Sequence, residues 1–189
     1  SRTNGQTQLG GWVQGNPWLA TGSARVILNE VNASSPSQLN GFVEVAGNQA
    51  QVVIANPAGI ACDGCGFINA NRATLSAGQA VVNGGAIQGY QVQNGQINVT
   101  GAGLDSGSAG YTDLIARAVD VNAGVWAQNL NVAAGAGTVA ADASGVAASG
   151  DSGGAPAVAI DVSQLGGMYA GSIQLVGTQA GVGVRNAGQ

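Results

Sequence analysis

Histidine and lysine are both absent from this chain of 189 residues. Without histidine, the usual base that takes the proton from a nucleophilic serine is missing. Without lysine there is no phosphate-binding loop of the Gly-rich, Lys-ended type. The five cations are all arginines, and Arg2, Arg25, Arg72, Arg117 and Arg185 are scattered. Nucleic-acid binding needs clustered positive charge to neutralise phosphates, so that class is set aside, and a polybasic membrane patch with it. Aromatics make up 4% and charged residues 7% of the chain, too little bulk for a thick sandwich core. No apolar run approaches the ~20 residues a membrane helix requires. Residues 1–8 are polar and are no signal peptide, which is expected if a signal has been removed or the chain is an internal piece.

What is present is small and β-prone. Apolar residues are 45% of the chain, mostly Ala, Val, Ile and Leu, and there are 33 glycines. That composition can form a core of thin, closely stacked layers and argues against disorder, which needs charge in place of apolar residues. Helix signals are weak. Val26-Ile27-Leu28, Phe42-Val43-Glu44-Val45 and Gln51-Val52-Val53-Ile54 are β-branched or alternate with period two, and Gly and Asn punctuate them. An apolar-x-apolar triplet followed closely by Gly recurs at Ile97–Val99, Val119–Val121, Leu130–Val132 and Ile173–Leu175, with a weaker copy at Thr74-Leu75. Short strands with Gly and Asn corners predict a parallel β-helix, the rival being a sandwich of short hairpins. At about 20 residues per turn the chain would make roughly nine turns. Residues 133–159, almost all Ala, Gly, Ser and Asp, lack strand formers and are expected to be a flexible excursion from a single domain spanning 1–189.

Several motifs resolve to bland readings. Gly150-Asp151-Ser152-Gly153-Gly154 spells a serine-protease nucleophile box, but there is no base to activate the serine. Gly101-Ala102-Gly103-Leu104-Asp105 resembles one unit of a calcium-binding repeat, and such arrays need several copies. Asp105, Asp113 and Asp120, with Tyr111 and Arg117 among them, are the nearest approach to a paired-carboxylate site; solvated turn carboxylates explain them more simply. Cys62-Asp63-Gly64-Cys65 has no second thiol pair and no histidine to complete a zinc site, and no α/β unit to make it a redox motif. A disulfide closing a tight Asp-Gly loop remains. No enzyme activity, cofactor or metal is expected.

Two Asn-Pro turns carry the strongest signal. Asn16-Pro17-Trp18-Leu19 precedes the run from Gly22 to Val31, and Asn56-Pro57-Ala58-Gly59-Ile60 precedes Cys62–Phe67 and Asn69–Ala73. Together with Gln164–Ala170 and Gly183–Asn186, these segments resemble, in order, the N-terminal secretion domain of two-partner-secretion exoproteins. That family includes filamentous haemagglutinins, haemolysins and contact-dependent growth inhibition effectors. Its signature turns have Asn at the third position, where this chain has Trp18 and Ala58. The resemblance implies a right-handed parallel β-helix with extra-helical hairpins or loops, no catalysis, and a monomer. It implies a chain secreted through the periplasm to the cell surface or the extracellular space, recognised by the periplasmic domains of a dedicated outer-membrane transporter. An N-terminal capping segment is expected to be missing. Both Asn-Pro turns are expected to serve the folding of their coils, with transporter recognition as the competing role. The alternative function is an adhesin segment that binds surface glycans or receptors through Trp12, Trp18 and Trp126.

Overall fold

The structure, a computed structural model, describes residues 2–149, 156–178 and 183–188. The chain opens with a small antiparallel hairpin of β1 (Gly5–Gln6) and β2 (Trp12–Val13). The carboxylate of Glu44 holds its tip by accepting from the Gln8 and Leu9 amides at 2.8 and 2.7 Å. The polar N-terminus, where no cap was expected, thus carries a hairpin anchored on the shaft.

The shaft then winds through six coils among the described residues. The first holds β3 (Val26–Glu30), β4 (Ser37–Leu39) and β5 (Phe42–Glu44). The second holds β6 (Ala50–Ala55) and the long β7 (Ile60–Ile68), which turns a corner midway. The third holds β8 (Ala70–Ser76), then β9 (Gly78–Asn83) and β10 (Ala86–Val92) outside the shaft, then β11 (Gln96–Asp105). The fourth is β12 (Tyr111–Ala116), β13 (Ala118–Val121) and β14 (Gly124–Trp126). The fifth is β15 (Asn129–Ala134), the extra-helical β16 (Gly137–Ala140) and β17 (Val146–Ala148), then β18 (Ile160–Val162) and β19 (Gly167–Tyr169). The sixth is β20 (Ser172–Gly177) and β21 (Val184–Asn186).

Three parallel faces result. The first stacks β3, β6, β8, β12, β15 and β20. The second stacks β4, the starts of β7 and β11, then β13, β18 and β21. The third stacks β5, the ends of β7 and β11, then β14 and β19. Inward side chains form axial ladders, among them Ile54–Leu75–Leu114–Val132–Leu175 and Ile60–Ile97–Val119–Ile160. Small and β-branched residues suit such ladders, because identical positions must repeat at the ~4.8 Å spacing of hydrogen-bonded strands.

The irregular period has a simple cause. Val52 and Ala73 are register partners 21 positions apart, and Thr112 and Leu130 are partners 18 apart. Ala73 and Thr112 are 39 apart, and Leu130 and Ile173 are 43 apart. Each long interval contains an insertion at the same corner, between the first and second faces. These insertions, together with the 25 residues before β3, use up the residues that a uniform period would assign to further coils, so the described residues form six coils where nine were expected. The two insertions pair with each other as a four-stranded antiparallel sheet, β17-β16-β10-β9.

That sheet corrects the expectation for residues 133–159. Ala133 and Ala134 are buried shaft residues of β15, while 137–140 and 146–148 do leave the shaft, as paired strands. Residues 150–155, with the Gly150–Gly154 motif, lie outside the described residues. The composition misleads because small residues are what this sheet requires: a Cβ on Gly89 would meet the Val139 carbonyl at 2.5 Å.

The sheet covers the outer side of the first face. Tyr90, Val92, Val139 and Ala143 form a second core there with Val53, Ala55, Ile115 and Ala133. Beside it lies a buried polar knot. Asp113, fully buried, accepts from Arg72 Nε at 2.6 Å and Arg72 Nη2 at 2.8 Å, from Thr74 Oγ1 at 2.8 Å and from Asn131 Nδ2 at 2.9 Å. Arg72 Nη2 also donates to the Asp142 carbonyl at 2.9 Å, which ties the second hairpin to the shaft. Burial and the Asp113 charge push the Tyr90 hydroxyl up to about 12.

Candidate functional site

The second Asn-Pro turn sits where the first face hands over to the second. Pro57 fixes its own φ and keeps Asn56 out of the helical region, so the strand β6 ends there. Asn56 is fully buried, and both ends of its side chain are used. Its Oδ1 accepts from the Ala58 amide at 2.9 Å, closing the turn locally. Its Nδ2 donates to the Ser35 carbonyl at 3.0 Å and to Ser37 Oγ at 2.9 Å, both in the first coil. Its backbone N–H donates to the Ser76 carbonyl of the third coil at 2.9 Å. One residue therefore joins three successive coils. Gly59 has φ of +117° and packs so tightly that a Cβ would meet the Gln96 carbonyl at 2.9 Å. Its own carbonyl accepts from the Ser37 amide at 3.0 Å. Ile60 then enters the core, fully buried, while Pro57 is exposed and Ala58 half-buried.

The first turn has the same local chemistry and different surroundings. Asn16 Oδ1 accepts from the Trp18 amide at 3.0 Å, and the Asn16 carbonyl accepts from the Leu19 amide at 3.5 Å. Gly22 N–H donates to the Leu19 carbonyl at 3.3 Å. Among the described residues these bonds stay within 16–22. Asn16 and Pro17 are exposed, Leu19 is half-buried, and Trp18 is 88% exposed.

Cys62 and Cys65 are joined by a disulfide, with Cα atoms 5.4 Å apart. They are inward residues of adjacent faces, so the bridge spans the corner within β7. Cys62 stands in the ladder Leu39–Cys62–Val99–Val121, and Cys65 in the ladder Cys65–Leu104–Val125.

The other sequence candidates are not brought together. Asp105 lies on the third face, Asp113 under the extra-helical sheet on the first, and Asp120 on the second. Asp120 is held above the ordinary carboxylate range by burial and by the neighbouring Asp161 charge, Arg185 pulling the other way. Tyr111 stacks against the Arg72 guanidinium, 5.2 Å from its ring centre. Arg117 Nη1 donates to the Gln93 carbonyl at 3.2 Å and to Asn94 Oδ1 at 3.1 Å, at the root of the first hairpin. Trp12 is exposed on β2. Trp126 lies over Gly124 and stacks on Tyr169, with ring centres 6.0 Å apart. The Gly101–Asp105 motif is a corner bulge, with Gly101 at φ +55° and Gly103 at φ +80°. Sequence reasoning missed the Arg72–Asp113 pair, whose partners are 41 positions apart. The available hint was a charged residue at an alternating strand position on each of two strands.

Comparison with known proteins agrees with this architecture. The TPS secretion domain family matches residues 4–189. Toxin CdiA of Yersinia pestis is 60% identical over 97% of this chain, and tRNA nuclease CdiA-2 of Burkholderia pseudomallei (strain 1026b) is 49% identical over 100% of it. The chain spans about 6% of the length of each of these relatives, so the activities in their names describe far larger proteins. The crystal structure of the filamentous hemagglutinin secretion domain superposes with a TM-score of 0.87 at 36% identity, over 98% of this chain and 65% of that one. The chain belongs to the TPS, or two-partner-secretion, secretion domain family.

Proposed function

We propose that this chain targets a larger surface exoprotein to a dedicated outer-membrane transporter and then nucleates the folding of its β-helical shaft outside the cell. The observation that carries the reading is the axial register. Among the described residues, shaft strands pair only with strands of the coil before and the coil after, so each finished coil is the template for the next and order can grow one coil at a time. Export of an extended chain followed by growth from one end needs that property. The shaft core is built from single-residue ladders, which assemble coil by coil; the outer core on the first face closes later, when the fifth coil's hairpin pairs with the third's.

The transporter's periplasmic domains are the proposed partner, and the chain acts as a monomer without a cofactor. The two Asn-Pro turns are the proposed motifs: Asn56–Ile60 for coil registration, Asn16–Leu19 for recognition. The test fuses the chain to an inert passenger in a cell that carries or lacks the transporter. The passenger should reach the surface only with the transporter present, and the extended chain should bind its soluble periplasmic domains. Surface delivery that is equal without the transporter would overturn the reading.

A further inference from the structure

The Cys62–Cys65 pair is accessible to thiol chemistry in one state of the chain and closed to it in the other. In the extended chain the cysteines are separated by only Asp63 and Gly64. The sequence itself supplies their proximity, with no fold required, and Asp-Gly favours the turn that brings them together. In the folded shaft Cys62 is 0% and Cys65 2% exposed. Cys62 is covered along the axis by Leu39 on one side and Val99 on the other, and Cys65 by Leu104. Thiol–disulfide exchange needs a thiolate to reach a sulfur and a protein partner to be joined to it in a mixed disulfide. Apolar surroundings disfavour the thiolate, and burial of both residues keeps their sulfurs from a protein partner.

The third coil is also moulded on the loop that the bridge closes. Asp63 Oδ1 accepts from the Ala102 amide at 3.0 Å. Gly101, at φ +55°, sits so close to the Asp63 carboxylate that a Cβ there would overlap it. Gly64, at φ +70°, lies beneath Ala102, whose Cβ would be 3.3 Å from an added Cβ. The corner of the second coil and the bulge Gly101–Gly103 are therefore closely fitted to each other.

We propose that this disulfide is installed in the extended chain, by a protein dithiol oxidase of the oxidising compartment, before the second and third coils close. One cysteine thiolate attacks the oxidase disulfide, forming a mixed disulfide and expelling one oxidase thiolate. The second cysteine thiolate then attacks the first cysteine's sulfur and releases the other oxidase sulfur. The chain loses two electrons and two protons, and the oxidase disulfide becomes a dithiol. The finished four-residue ring is a pre-shaped corner on which coil three is built.

The test compares one chain in two states. The reduced chain is exposed to a purified dithiol oxidase in its disulfide form, once unfolded in urea and once after refolding under reductant that is then removed. Acid quenching and a thiol-specific mass tag count the remaining thiols, and circular dichroism reports folding. Oxidation of the refolded chain should be slower by at least ~30-fold, the protection given by a core that opens rarely; a smaller difference overturns the order proposed. If the reduced chain stays unfolded under refolding conditions, oxidation necessarily comes first and the proposal stands. A second arm traps the chain in secreting cells before it reaches the surface. A bridged chain there is expected; free thiols inside with bridged chain outside overturns the proposal, and does so without bearing on which transporter is used.

Discussion

The two Asn-Pro turns begin with the same residues and the same side-chain-to-backbone bond, yet one is buried between coils and the other faces solvent. Asn56 Oδ1 bonds the Ala58 amide at 2.9 Å, and Asn16 Oδ1 bonds the Trp18 amide at 3.0 Å. The local motif is therefore equivalent. What separates them is the other end of the amide: Asn56 Nδ2 reaches Ser35 and Ser37 in the preceding coil. A turn motif sets a local shape, and its stack of neighbours decides whether that shape stabilises the fold. The two turns should accordingly respond differently to the same substitution.

The largest effect belongs to Asn56→Val. It leaves the half-buried Ala58 amide and Ser37 hydroxyl without their partner, and inserts a branched side chain where a fully buried amide fitted. Half-buried groups that lose a partner cost about 1 kcal/mol each, and misfitting a branched side chain in the packed site of Asn56 adds about 1 kcal/mol, so a loss of about 3 kcal/mol is expected, or roughly 6–12 °C in melting temperature for a chain of this size. Thermal melts of the isolated chain check it. A shift under about 3 °C would remove Asn56 from the list of cross-coil ties.

Next comes a matched glycine pair. Gly59 and Gly22 both have positive φ, +117° and +103°. Only Gly59 faces a carbonyl within reach of a Cβ; around Gly22 there is open space. Gly22→Ala should cost about 1 kcal/mol from backbone strain alone, and Gly59→Ala about twice that, because the Gln96 carbonyl must also move. Equal losses in chemical denaturation would mean that the second turn is no tighter than the first. Asn16→Val ranks third, at about 0.5–1 kcal/mol, since it removes one solvent-exposed turn bond. A melting shift as large as that of Asn56→Val would erase the distinction between the turns.

How much of this could be read in advance depends on sequence distance. Ile97–Val99 and Val119–Val121 were legible as repeats and are register partners, as are Leu130–Val132 and Ile173–Leu175. Alternation and Gly corners are local signals, and a solenoid is built from local units, so the fold class was accessible. The Asn-Pro turns were visible for the same reason. The bonds that distinguish them were not, because Asn56 meets Ser35 and Ser37 across 21 and 19 positions. The coil count failed where two hairpins interrupt the period at one corner. The segment after Ala134 was misjudged because strand propensity reflects side-chain packing on a half-buried surface. This added sheet is held by backbone pairing and close approach, for which Gly and Ala are the suitable residues.

The smallest stability effect and the largest binding effect should fall on one residue, Trp18. Its side chain is 88% exposed on an exposed turn whose bonds are all to the backbone or to Asn16. Trp18→Ser keeps the Trp18 amide that Asn16 Oδ1 binds, and it removes almost no buried surface. The melting temperature should stay within about 1 °C, as for surface substitutions in general. A large aromatic left in solvent on a turn is also the kind of group that anchors a protein interface. If the first turn is read by the transporter, the same variant should weaken binding to the periplasmic domains by about 10–30-fold, which is the loss of an anchor contributing about 1.5–2 kcal/mol. The measurement is a pair: melting of the chain alone, and titration against those domains. Unchanged melting with weakened binding assigns the exposed turn to recognition and the buried turn to folding. Lowered melting with unchanged binding would place both turns in the fold, and the comparison would then rest on burial alone.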